Sequence, residues 1–348
     1  MKRIIQFISL FLNLIWAEQS SALQAGEGIL LDPVTGNYLL NYRSEFDGSL
    51  IQKDYIPSTK IDPSLISSTK LIDGWNVLYQ YNLANGSSAK QPIVNLDIYG
   101  LPTNVNISGA TTISVTDQLQ NYQLDSFESA LIVPINSDCS GSGTRTSEET
   151  NIGWLCVHYL PQSDIPDPLS GIPPGTTLKG FGLISSYLPG LITAQVAGDG
   201  DGRIGLGDEA SSEFMDLYES QLLNVDYVLR NAAAPVIAVL SPFDAAVTLE
   251  RVRDHTHTWI DQHLLEAAFS AQLDPLFQQA IDAYRAGLRE TGKKHLESLR
   301  DLVKQQQPDA ESQGAAARAI AMPPAKLDLL AARVLFFDVN YVMERGSR

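Results

Sequence analysis

The stretch of the chain closest to a chemical motif is Ala197–Asp208, AGDGDGRIGLGD. Calcium takes six to eight hard oxygen ligands, and alternating Asp and Gly residues let a loop bend around it. Set on the twelve-residue calcium loop with Gly202 sixth, the segment places Asp199 third, Asp201 fifth, Arg203 seventh and Asp208 twelfth. Ala197 falls at the first position and brings no side-chain oxygen. Asp208 is one carbon shorter than the bidentate Glu that usually closes such a loop, although Glu209 or Glu213 could substitute. The simpler expectation is a solvated acidic turn capping a helix that starts near Ser211, where carboxylates are favoured by the helix dipole.

The histidines offer less. His255, His257 and His263 fall on one predicted helix, but His255 and His257 point about 200° apart and His255 and His263 are two turns apart, so zinc is not expected there. His295, beside Lys293 and Lys294, reads as part of a surface charge cluster. There is no G-x-S-x-G and no H-E-x-x-H. His158 is the one histidine of the β-rich part, so any histidine-dependent nucleophilic chemistry there must use it. A paired-carboxylate glycosidase needs only two acids, and the many acidic residues of that part offer pairs without singling one out. Trp75, Tyr79, Tyr81 and Trp154 could stack on sugars, although strand aromatics are more often core.

The first 22 residues carry an address. Lys2-Arg3 precedes the apolar run Ile4–Trp16, and small residues follow at Ala17, Ser20 and Ala22. This is the layout of a secretory signal peptide, with cleavage expected after Ala22 and Ala17 the second choice. The run is shorter than the roughly 20 residues a membrane span needs, and no later stretch resembles a span. Without a Cys at the cleavage site, a lipid anchor is not expected. Export makes a disulfide the natural state of Cys139 and Cys156, the chain's two cysteines, and closing a loop of about 15 residues stabilises by roughly 3 kcal/mol in the chain-entropy account. The sequons at Asn85 and Asn106 matter only in a eukaryotic secretory path.

The elements that must position these residues fall into two textures. The chain has 348 residues and a net charge of −16, with 44% apolar residues, enough to build a core and too many for a disordered chain. Residues 23–241 hold 9 basic and 24 acidic side chains, and residues 242–348 hold 13 and 15. That balance excludes the basic face a nucleic-acid binder needs. Before residue 198, apolar residues alternate at Tyr38–Tyr42, Trp75–Leu83 and Val94–Ile98, and short apolar runs recur at Ile113–Val115, Ala130–Ile135, Trp154–Leu160, Gly180–Ser186 and Leu191–Val196. This predicts an antiparallel β-sandwich over 23–197. The stretches Ser44–Leu71 and Gln162–Thr177 read as ordered loops. Residues 198–241 read as the acidic loop and a connecting helix, Ser212–Leu229. From Ser241-Pro242 onward the pattern is helical, with a stripe Leu273, Phe277, Ile281, Tyr284, Leu288, a break at Thr291-Gly292, a continuation through Val303, a loose Pro308–Pro324 and a last helix Ala325–Met343. The fold class expected is thus a two-domain α+β chain, a sandwich followed by a small helical bundle over 242–348.

The helical part, VTLERVRDHTHTWIDQHLL followed by LDPLFQQAIDAYRAGLRETGKKHLESLRDLV and KLDLLAARVLFFDVNYV, resembles the FIMAH type of C-terminal module found on secreted bacterial hydrolases and carbohydrate-binding proteins. The likeness rests on Leu276, Ala280, Ala283, Gly292, Leu299 and the Leu329–Ala332 turn, covers about the last 100 residues, and is departed from by the Ala-rich insert before Pro323. It implies interaction rather than catalysis. In layout the whole chain is also similar to secreted bacterial proteins with a β-rich front and a helical tail, which implies no activity. The expectation is therefore a secreted or periplasmic binding protein with an extracellular or cell-surface ligand, carbohydrate or protein. A secreted carbohydrate-active hydrolase is the alternative.

Overall fold

The computed structural model describes residues 23–72, 74–101, 106–107, 129–133, 140–145, 150–155, 171–199, 210–223, 227–311 and 326–346. The fold is α+β, built from largely antiparallel sheets and helices. Strands β1 (Gly28–Leu31), β2 (Tyr38–Arg43) and β3 (Leu50–Tyr55) form a three-stranded sheet. Next come β4 (Pro63–Leu71), β5 (Val77–Asn85), β6 (Ile93–Leu101), β7 (Asn106–Ile107), β8 (Ser129–Val133), β9 (Ser140–Arg145), β10 (Thr150–Leu155), β11 (Thr176–Ser185) and β12 (Leu188–Gly198), and then β13 (Val228–Ile237). They make two five-stranded sheets, ordered β4-β5-β11-β8-β7 and β13-β12-β6-β10-β9, with β7 and β8 the parallel pair.

The alternation read in the sequence is the cause of this arrangement. Tyr79, Tyr81 and Leu83 on β5 and Phe181 and Leu183 on β11 meet Leu96 and Ile98 on β6, Ile152 and Trp154 on β10 and Val196 on β12 in a single apolar core between the sheets. Trp154 sits at its centre, 5.8 Å from the rings of both Tyr81 and Phe181. The two sheets also meet along one edge. Ala233 on β13 donates its backbone N–H to Ser67 Oγ on β4 at 3.0 Å, Arg230 donates to the Pro63 carbonyl at 2.8 Å, and the Tyr81 hydroxyl donates to the Ala233 carbonyl at 2.9 Å.

Several elements differ from the pattern reading. The stretch Ser44–Leu71 holds β3 and β4, whose Ser, Lys and Gln residues hide the alternation. β4 begins at Pro63 and lies at a sheet edge, where a missing N–H is tolerated. The connecting helix is shorter than expected. It is α1 (Ser212–Tyr218), capped by Ser211 and continued by a π turn through Leu223, while residues 228–237 pair with β12 as a strand. α1 does not bridge two halves. It packs Phe214 and Tyr218 against Tyr42 and Tyr55 of the first sheet, making a third, separate core.

Helices α2 (Ala245–Asp261), α3 (Ala267–Arg285), α4 (Arg289–Gln306) and α5 (Leu329–Gly346) complete the described chain. α2 begins at Asp244, which accepts the Val247 N–H, and not at Ser241-Pro242. Its end precedes His263, which takes a left-handed backbone. The break between α3 and α4 falls at Gly287, whose φ of 73° suits glycine. Gly292 instead lies inside α4, where a Cβ would come within 2.8 Å of the Tyr284 ring, so it permits close helix packing rather than ending a helix. α5 is buried on nearly every side, which its run of Ala331, Ala332, Val334, Leu335, Val339 and Val342 dictates. It is flanked by α2 and α4 and lies on β12, β13 and β4.

The helices consequently share a core with the sheet. Leu188 and Leu191 of β12 and Ala233 and Ile237 of β13 belong to the same apolar cluster as Trp259, Phe269 and Phe277. One polar contact marks the junction. The Leu191 N–H donates to His255 Nε2 of α2 at 2.9 Å, so this ring is neutral with its proton on Nδ1. Gly190 makes room for it, since a Cβ there would lie 2.5 Å from His255 Nε2. No described helix is long and apolar enough to cross a membrane.

Candidate functional site

Where the two apolar cores meet, the protein leaves a cavity of about 230 Å³. Leu71 at the end of β4 and Phe337 on α5 pack against both cores and line this space. One wall is hydroxylated, with Ser67, Ser68 and Thr69 of β4. The other is α5, which offers Leu330, Val334 and Phe336 together with the polar groups of Arg333, Asn340 and Glu344. Both walls follow from local structure. β4 is an edge strand that keeps small polar side chains where the seam with β13 must close, and α5 crosses that seam with its polar positions Arg333, Asn340 and Glu344 falling seven and four apart, on one side of the helix.

Asp338 lies on the same helix but is not among the residues that line this cavity. It is 1% exposed, and neither carboxylate oxygen has a hydrogen-bond partner among the described residues. Burial pushes its carboxyl well above the usual range, so the neutral acid is favoured. The Tyr79 hydroxyl is likewise pushed up by burial first and by the nearby Asp338 second, and it donates to the Tyr187 carbonyl at 2.7 Å. A second carboxyl with a raised pKa, Asp97, lies on the outward side of β6. Burial raises it, while hydrogen bonds from Tyr99 and Asn95 partly offset this, and its Oδ1 leans over Gly153.

The residues singled out in the sequence are not gathered here. Asp199 is half-buried at the end of β12, while Asp201, Arg203 and Asp208 lie outside the described residues, as do Cys139, Cys156 and His158. No group of three His, Cys, Asp or Glu that could hold a metal occurs among the described residues. Of the four aromatics considered for sugar stacking, Tyr79, Tyr81 and Trp154 are fully buried, so they cannot meet a ligand on an open face. Trp75 remains 41% exposed and carries the Arg345 guanidinium on its ring. His257 pairs with Asp274 at 2.7 Å across α2 and α3, an exposed contact of little weight. The cavity residues were not visible beforehand, because Ser67–Thr69 lie in the stretch read as loop and the α5 residues lie on a helix read only for its apolar stripe.

The chain matches no protein-family model, and comparisons with curated proteins and with solved structures find no similar protein.

Two buried groups set opposite pH dependences. Burial pulls His255 down from 6.5 to about 4, so its contribution is present above pH 6.5 and lost as pH falls towards 4. Complete loss corresponds to about 3 kcal/mol. Asp338 is raised, so its contribution is full below 3.8 and is lost as pH rises. In urea melts across pH, His255→Gln, which keeps an acceptor without titrating, should flatten the decline between pH 6.5 and 4. Asp338→Asn should gain stability over wild type as pH rises. Parallel profiles for wild type and either variant would contradict the burial of that group.

Proposed function

We propose that this is a secreted, non-catalytic binding protein that holds a small amphipathic molecule in the cavity between β4 and α5. The carrying observation is the character of that space, with a hydroxylated strand on one side, an apolar helix face on the other, and Arg333, Asn340 and Glu344 placed to orient a polar edge. Enclosed apolar pockets with a few convergent polar groups are the usual form of a small-molecule site. In this reading the two facing sheets act as a sandwich-type frame, and α2–α5, which resemble a FIMAH-type module, add attachment or assembly to closing the site.

A neutral hydroxylated ring is the simplest probe, and 1-naphthol reports through its own emission. Wild type should bind it saturably. Ser68→Trp, placed on the half-buried polar wall, should weaken binding about tenfold, equivalent to 1.4 kcal/mol, with an unchanged thermal midpoint. Failure of the wild type to bind, or equal binding by the folded variant, would contradict the proposal.

Export and the cysteine bridge form part of the same reading. The bridge is supported by the β9–β10 register, which pairs Ser140 with Leu155, the residues next in sequence to Cys139 and Cys156. Protein recovered unreduced from the periplasm or medium should have the mass of residues 23–348 less two hydrogens and should take up no thiol reagent. Recovery with Met1 retained, or with two alkylated cysteines, would count against it.

A further inference from the structure

We propose that His255 is an acid-sensitive latch, holding α2 on the sheet at neutral pH and releasing it in acid while the sheets and α5 stay folded. The local geometry of β12 sets this up. β6 pairs with β12 from Ala194 to Gly198, so the Leu191 N–H lies beyond that ladder. A backbone N–H can only donate, and one shielded from water needs an acceptor. His255 Nε2 supplies it at 2.9 Å. Gly190 lets the ring reach, because a Cβ there would lie 2.5 Å from His255 Nε2 and 2.7 Å from Val236 Cβ. Trp259, 1% exposed, packs edge-on against the ring with its centroid 5.7 Å away. None of these residues lines the cavity between β4 and α5, so the two readings stand or fall separately.

A contact of this kind works in one protonation state. Once Nε2 carries a proton, both ring nitrogens are donors. Two N–H groups then face each other, and burial disfavours the new charge. The surroundings offer the imidazolium no compensating anion. On α2, Arg251 lies one turn away on the same face and donates to the Ala238 carbonyl at 2.6 Å, so the charge there is of like sign. Asp254 is exposed beside Arg253, and Asp274 contacts His257, which points to the opposite side of α2. β12 carries no charged residue, and Arg230 of β13 is bound to the Pro63 carbonyl. Among the described residues, the contacts of His255 and Arg251 are the hydrogen bonds that α2 makes to the sheet layer. Two buried carboxyls elsewhere respond to acid in the opposite sense. Burial raises both Asp97 on β6 and Asp338 on α5, so their contributions are full in acid and lost as pH rises. Lowering the pH therefore weakens the tie of α2 without weakening these, which favours opening of α2 ahead of the sheets.

Hydrogen exchange of the full chain, read by mass spectrometry from pH 7 to 4 and corrected for the intrinsic pH dependence of exchange, tests the latch. With the ring held at about 4 against 6.5 when free, opening of α2 should increase about a hundredfold over that range. Peptides from β5, β6 and α5 should keep their protection. In His255→Gln, which keeps an acceptor without titrating, α2 should stay protected to the same pH. The wild-type ring gives a second readout that needs no variant. Its nitrogen-15 signals should show the Nδ1–H tautomer at neutral pH, and α2 should lose protection as the ring titrates. Unchanged protection of α2 down to pH 4, loss shared with β5 and β6, equal loss in folded His255→Gln, or a neutral-pH ring carrying its proton on Nε2 would each overturn the proposal.

Discussion

The burial of α5 against the seam between the two large sheets is the constraint on which the rest depends. At that seam β4 and β13 meet through side-chain contacts rather than a continuous ladder, as the Ala233–Ser67 and Arg230–Pro63 bonds attest. An uncovered junction of this kind would leave strand edges open to other chains. α5 covers it, and each large apolar side chain it buries contributes about 1.5–3 kcal/mol relative to exposure. Leu71 and Phe337 touch the cores on both sides, so the sheets and the helices are tied by shared packing and not by a tether.

This packing has costs. Asp338 is a fully buried carboxyl on α5, and it finds no hydrogen-bonding partner among the described residues. His255 gives up its ordinary basicity to satisfy the Leu191 N–H. A cavity persists between walls that are otherwise closely packed, although filling it would have recovered contacts.

Much of the fold was legible in the sequence, and the reasons are specific. β5 and β6 announced themselves because every second residue is large and apolar, which is the period a half-buried strand requires. The stripe through Leu273, Phe277 and Ile281 did the same for α3. β4 escaped because Ser67 and Thr69 occupy its buried positions, β3 because Lys53 sits between Ile51 and Tyr55 on its inner side, and β13 because Ala232–Ala234 and Pro235 carry little strand signal of their own. Tertiary pairing with β12 and the covering helix makes β13 a strand. The candidate cavity could not be read in advance, because it gathers residues from stretches 160 or more positions apart.

Whether sheets and helices unfold as a unit is the most direct test of the account. In Trp16→Phe/Trp75→Phe/Trp259→Phe protein the fluorescence reports on Trp154, buried between the sheets, while the helical circular dichroism reports on α2–α5. Followed together in one urea titration, the two signals should change with the same midpoint and the same slope, as a cooperative unit requires. Two separate transitions, with the helical signal lost while Trp154 is still buried, would show that α5 is an appendage and that the seam does not depend on it.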